Sequence, residues 1–297
     1  MTSKTRLTAS DFDPEVLKLF DQYVHGQLSR RGFLASAGKY AVGGMTAAGL
    51  LTALSPSFAA QMVAPTDARI KTRYVEYASP SGYGTMRGYL VEPAKAAGKL
   101  PVVLVVHENR GLNPHIEDIA RRLALDNFIA FAPDALFPLG GYPGDEDKAR
   151  ELFGKLDQSK TRADFIAAAN MLNTLPEGNG KLGVVGFCFG GGMANYLATQ
   201  LPDLKAAVAF YGNQPPAAQA ANIKAPLMLH DAEKDERTRA GWPAYETALK
   251  AAGVHYQYFV YPGTEHGFNN DTTPRYDEAA AKLAWKRTID FFRAQLG

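Results

Sequence analysis

The sequence predicts an α/β fold with a mostly parallel central sheet covered by helices on both faces. Three observations predict it. From about Ile70 onward, short and continuously apolar runs alternate with stretches of helical spacing. A strand that is apolar at every position is buried on both faces, which is the setting of a parallel strand between two helix layers. The loops between the runs are short, and the 297 residues are 46% hydrophobic and 21% charged. That balance suits one soluble α/β domain, placed here over residues 61–297.

In chain order, the first sixty residues stand apart. "DFDPEVLKLFDQYVHGQ" reads as an amphipathic helix with Asp13 as N-cap and Pro14 at the first helical position. Val16, Phe20, Tyr23 and Val24 share its apolar face. "SRRGFL" follows at 29–34, then the small-residue apolar run Tyr40–Leu54, then "SPSFAAQ". A paired arginine, a mildly apolar stretch and small residues at Ala59 and Ala60 resemble a twin-arginine export signal. The expectation for residues 1–60 is therefore a leader read by export machinery, with a periplasmic or secreted product. The alternative is a retained helical arm packed on the body of a cytoplasmic protein. The run is too short and too rich in Gly and Ala for a stable membrane span.

The body alternates as an α/β sheet requires. "LPVVLVVH" at 100–107 is a strand, 113–127 a helix and "FIAFAPD" at 128–134 a strand. Residues 147–175 are helical in two segments, "LGVVGF" at 182–187 is a strand, and 191–201 is a helix. Strands at 204–212, 225–231 and 255–263 alternate with helices at 241–253 and 276–292. In such sheets function gathers at the carboxyl ends of the strands.

Composition excludes several classes. A formal net charge of +2 gives no electrostatic case for a nucleic-acid partner. One cysteine cannot form an internal disulfide, and the six histidines show no metal-ligand spacing. No cofactor is implied.

Three chemical features fall at strand ends. Cys188 follows "LGVVGF", Asp231 and Asp235 follow "APLML", and His266 lies in "TEHGFNND" after "HYQYFVYPG". Nucleophile, acid, histidine is the chain order of α/β-hydrolases, and G-x-C-x-G at 186–190 occupies the strand–turn–helix place of their G-x-S-x-G elbow. A nucleophile on a sharp turn needs small neighbours two residues away on each side, and Gly186 and Gly190 supply them. The helix behind the thiol points its free N–H groups and positive end toward it.

With "GFCFGG" at 186–191, "HENRGL" at 107–112, "AEKD" at 232–235 and "PGTEHGF" at 262–268, the chain resembles the dienelactone hydrolase family of α/β-hydrolases. The resemblance spans about Val75 to Phe292 and implies a Cys188–Asp235–His266 triad, with Asp231 the rival acid. It implies that Glu108 contacts the resting thiol. His107 and His230 are read as structural, while His25, His115 and His255 receive no role. The chemistry that follows is thiolate attack on an ester or lactone, with His266 as base and Asp235 holding its tautomer. A thioester acyl-enzyme forms and water cleaves it. The oxyanion would be held by the backbone N–H groups of Phe189 and, by resemblance, Asn109, each worth about 3 kcal/mol of barrier.

The substrate is a small-molecule ester or lactone. The family's carboxylate-clamping arginines are absent at the matching positions, 135–138 and 267–270, so a neutral substrate is expected to do at least as well as an anionic one. Candidate pocket residues are Arg110, Phe137, Tyr142, Tyr211, Trp242 and Phe268. Two other functions compete: a redox or electrophile-scavenging thiol, and a non-catalytic binding protein on a hydrolase fold. Ester turnover abolished by Cys188→Ala separates the first reading from both.

Overall fold

Alternation along the strands sets the architecture. In β3 (Leu100–Val106), Val102, Leu104 and Val106 face one side while Val103 and Val105 face the other, all buried. A strand with two apolar faces needs a helix layer on each. The structure, a computed structural model, describes residues 6–41, 45–59 and 61–297. Its N-terminal helices are α1 (Pro14–Val24), α2 (Arg30–Ala37) and α3 (Ala47–Leu54). The body runs β1 (Ile70–Ser79), β2 (Gly84–Pro93), β3, α4 (Pro114–Leu125), β4 (Ile129–Pro133), α5 (Glu146–Phe153), α6 (Gln158–Asn173) and β5 (Gly178–Phe187). It continues with α7 (Phe189–Gln200), β6 (Ala206–Phe210), β7 (Leu227–Ala232), α8 (Glu236–Arg239), α9 (Trp242–Ala251), β8 (Tyr256–Tyr261) and α10 (Glu278–Leu296).

The eight strands are ordered β1-β2-β4-β3-β5-β6-β7-β8 in one sheet. From β4 to β8 all neighbours are parallel, while β2 runs antiparallel to both β1 and β4. The edge hairpin lacks a continuous apolar run because most β1 side chains are exposed or half-buried. On one face α6, α7 and α9 supply Phe165, Leu172, Met193, Leu197 and Leu249 to the core. On the other, α4 and α10 supply Ile116, Ile119, Leu123, Ile289 and Phe292. Burying each such side chain fully is worth roughly 1.5–3 kcal/mol relative to exposure.

The N-terminal helices form a third, small core around Phe20, Phe33, Leu51 and Leu54. Asp13 caps α1 by accepting from Glu15 N, and Pro14 opens the helix, as the sequence predicts. Leu17 is buried with Val16, Phe20 and Tyr23, while Val24 is half-buried. The arginine pair opens α2, and Arg30 Nη1 meets Asp147 of α5 at 2.5 Å. Only part of the apolar run Tyr40–Leu54 is described, its last eight residues as α3, and Ala60 lies outside the described residues. Among the described residues, no helix is long and apolar enough to cross a membrane. The arm lies across the carboxyl ends of the parallel strands: Arg150 Nη1 donates to Tyr23 O at 2.6 Å and Asn109 Nδ2 to Val24 O at 2.9 Å.

Candidate active site

Cys188 stands between the end of β5 and the start of α7 with φ +56° and ψ −112°. A side chain with a Cβ is strained there. The turn is enforced from both sides, since Cys188 N donates to Phe210 O at 3.0 Å and Gly192 N to Cys188 O at 3.1 Å. A Cβ on Gly186 would lie 1.8 Å from Gly190 O, and one on Gly190 would lie 2.1 Å from Val106 O. Strand and helix therefore approach as closely as the two glycines imply, and the half-buried thiol is held at the apex.

Asp235 and His266 come from the loops after β7 and β8. His266 Nδ1 lies 2.5 Å from Asp235 Oδ2, which leaves Nε2 for the sulfur. Asp231, the rival acid, instead accepts from the Tyr258 hydroxyl at 3.0 Å. Burial pushes Asp231 up to about 6, whereas the His266 contact outweighs burial at Asp235 and brings it down to about 2. Burial would raise the Cys188 thiol, but His266 and then His25 overcome it and lower it to about 5. Burial opposes a charge on His266, yet Cys188 and Asp235 raise it well above its usual value. The two shifts, downward at Cys188 and upward at His266, favour charge separation between thiol and imidazole.

His25 was given no role by the sequence. Its Nε2 lies 3.6 Å from Cys188 Sγ, and its ring meets His266 edge-on at 4.7 Å between centroids. One ligating atom from each of His25, Cys188 and His266 lies within 4.8 Å of the others. At that spacing the three groups can exchange protons. No local motif marks His25, because the partner it meets lies 163 residues away.

Glu108, expected at the thiol, accepts instead from Asn270 Nδ2 at 3.0 Å. Among the described residues it makes no hydrogen bond to Cys188. Glu108 and Arg110 line a small cavity of about 50 Å³ reaching Cys188 and His266, where Arg110 Nε faces Glu146 at 3.6 Å. Phe189 and Asn109 line a larger cavity of about 570 Å³ that opens beside Cys188. Phe189 is the first residue of α7, a position whose N–H has no partner inside the helix. His107 and His230 are structural as expected: His107 Nε2 accepts from Ala135 N at 3.1 Å, and His230 is buried between Tyr261 and Thr288.

Of the aromatic candidates, Tyr211 lines the large cavity. The other four, Phe137, Tyr142, Trp242 and Phe268, make packing or hydrogen-bond contacts. Phe137 carries the Arg87 guanidinium over its ring, and the Tyr142 hydroxyl donates to Glu146 Oε1 at 2.8 Å. Trp242 stacks on Tyr258 at 3.7 Å, and Phe268 is fully buried against Tyr211 and Tyr261. The sequence also missed three arginines of the large cavity: Arg150, Arg162 and Arg237. Arg237 Nη1 donates to Asn213 Oδ1 at 3.1 Å, Nη2 lies 3.1 Å from His25 Nε2, and its buried Nε has no partner.

The lowered thiol has a direct readout. Alkylation follows the thiolate fraction, so iodoacetamide should label Cys188 only about twofold faster at pH 8 than at pH 5. An ordinary thiol near 8.5 would accelerate by several hundredfold, roughly, over the same range. A profile of that second kind would show that the histidines do not hold the thiolate.

A model described as the dienelactone hydrolase family matches residues 86–296, and a second, described as YqhI-like, matches residues 4–41. The chain is 35% identical over 232 residues to a Salmonella typhi protein named "Putative carboxymethylenebutenolidase", covering 73% of this chain and 86% of that one. A protein of the same name from Methylorubrum extorquens is 31% identical over 301 residues, covering 95% of this chain, arm included, and 97% of the relative. A solved structure titled as a putative dienelactone hydrolase from Klebsiella pneumoniae superposes with a TM-score of 0.66 at 31% identity, over 75% of this chain and 99% of that one.

Proposed function

Because the chain belongs to the dienelactone hydrolase family, we propose that it hydrolyses an ester or lactone carrying an acidic group, with Cys188 as nucleophile. The observation that carries this reading is the line Asp235–His266–Cys188 at the ends of three parallel strands, with the thiol lowered to about 5. The thiolate attacks the carbonyl carbon, and the oxyanion settles against the N–H groups of Phe189 and Asn109. The leaving oxygen departs with a proton from an imidazolium of the site, which leaves His266 neutral. Water, deprotonated by His266, then cleaves the thioester and returns the thiolate. Asp235 keeps the proton on Nδ1 of His266, so Nε2 is the atom that exchanges protons.

The cavity arginines favour an anionic substrate over the neutral one expected from the sequence. Arg237 has no carboxylate partner among the described residues and lines the large cavity beside both histidines. Its Nε is buried without a partner, and an anion within reach would satisfy it. The test uses matched pairs, a carboxylate-bearing aryl ester against its methyl ester on the same acyl frame, at low ionic strength. A charge-assisted hydrogen bond gives roughly a ten- to hundredfold preference in kcat/KM for the anion, and Arg237→Gln should remove it. Equal rates would restore the neutral substrate expected from the sequence. No turnover of any ester or lactone would remove the hydrolase reading itself.

A further inference from the structure

We propose that His25, delivered by the N-terminal arm, is a second catalytic imidazole that shares the Cys188 thiolate with His266 and protonates the departing alcohol. The proposal rests on the cysteine-hydrolase reading above. Its basis is a duplicated arrangement. On one side of the sulfur, Asp235 binds His266 through Nδ1. On the other, His25 Nδ1 lies 2.8 Å from Asp21 O and 3.3 Å from Asp21 Oδ1, which leaves Nε2 aimed at the sulfur from 3.6 Å. Asp21 is itself held by Arg275 Nη1 at 3.4 Å. The two residues preceding His25 are fixed to the site walls through the Tyr23 and Val24 carbonyls, the second bound by the side chain of Asn109.

The charged groups facing His25 are Asp21 on its own helix, the Cys188 sulfur, His266 and Arg237 of α8. Arg237 can only donate, so a neutral His25 accepts from it at Nε2. When the ring is protonated, that nitrogen becomes a donor to the thiolate, and Arg237 keeps its bond to Asn213 Oδ1. Burial lowers the tendency of His25 to hold a proton, but Asp21 and Cys188 raise it above the usual value.

In acylation the sulfur forms its bond to the carbonyl carbon. The bond to the leaving oxygen breaks with its electron pair on that oxygen, which takes the proton from His25 Nε2. Before deacylation the proton on His266 passes to the now neutral His25. Water then attacks the thioester carbon and gives a proton to His266 Nε2, and the C–S bond breaks with its pair on sulfur. The product acid ionises to solvent, and the starting state, with both imidazoles protonated, is restored. Cleavage of the leader near Ala59 would remove His25, so the same proposal requires the mature enzyme to keep its arm.

The experiment compares His25→Gln with the wild type on two esters of one acyl group, an ethyl and a p-nitrophenyl ester. Ethoxide needs a proton to leave and p-nitrophenolate does not. General-acid catalysis contributes roughly 10²–10⁴-fold, so kcat/KM on the ethyl ester should fall by about a hundredfold or more while the nitrophenyl ester loses only a few-fold. Equal losses on both esters, or none, overturn the proposal, because a packing role does not sort leaving groups. The thiolate ultraviolet absorbance, titrated against pH, is a readout independent of turnover, and His25→Gln should move its midpoint upward. If the wild type cleaves no ester, the hydrolase reading fails and the titration alone decides: an unmoved midpoint overturns the place of His25 at the thiolate. Should His25→Gln fail to fold, Asp21→Asn keeps the ring and should give a smaller effect in the same direction on both measurements.

Discussion

Cys188→Ala is expected to reduce kcat on any ester by about 10⁶ while the protein stays folded, the scale seen when a nucleophile is removed from a coupled site. Alanine removes the sulfur and keeps the Cβ, so the backbone at φ +56° is no more strained than before. The hydrogen bonds from Cys188 N to Phe210 O and from Gly192 N to Cys188 O involve only main chain and persist. What remains is catalysis by the cavity and the two N–H donors. The measurement is turnover of a p-nitrophenyl ester beside a thermal melt. Activity retained with an unchanged melt would remove Cys188 from the mechanism, and with it the thiol-based alternatives.

Asp235→Asn is expected to lower kcat by about 10⁴, with Asp231→Asn close to wild type. Asp235 Oδ2 lies 2.5 Å from His266 Nδ1, while Oδ1 caps α8 by accepting from Thr238 N at 3.2 Å. An asparagine keeps the cap through its carbonyl oxygen and turns its amide toward Nδ1. That nitrogen must then accept, the proton moves to Nε2, and the atom that should take protons arrives already protonated. Asp231 faces Tyr258, away from the imidazole, and its amide can take the same bond. The two acids also carry opposite pH signatures. Asp235 is depressed to about 2, so its stabilisation is present above its unfolded value near 4 and is lost as pH falls through 2. Asp231 is raised to about 6, so the fold gives up stability as pH rises from near 4 through 6. Asp231→Asn removes that second loss, and its melting temperature should exceed the wild type's at neutral pH. A large loss of kcat in Asp231→Asn with a mild Asp235→Asn would exchange their roles.

The central strands were readable because burial on both faces leaves continuous apolar runs, and β3 shows it residue by residue. The edge hairpin of β1 and β2 was not singled out, since exposure breaks the apolar run in β1 and Arg87, Gly88 and Glu92 interrupt it in β2. Cys188, Asp235 and His266 were readable because each sits beside a strand end in a short motif. Trp242 and Phe268 illustrate the limit: an aromatic residue announces burial but not whether it faces a cavity or a core. Arg150 and Arg162 sit on helices where a charge ordinarily reads as solvated surface. His25 depended on docking between distant segments, which leaves no periodic trace in either one.

The arm also sets an order in time. Contacts between His25 and Cys188, His25 and Arg237, and Asp21 and Arg275 join residues 163, 212 and 254 apart. Closing such long loops is thermodynamically mild, since each doubling of length adds only about 0.6 kcal/mol. On the ribosome, however, the arm emerges before the body and must wait for Cys188, Arg237 and Arg275 before its partners exist. Its small apolar core lies wholly within the arm, while the sulfur is synthesised much later. An element made before the body can thus be seated only after it, and its docking completes the surroundings of the sulfur.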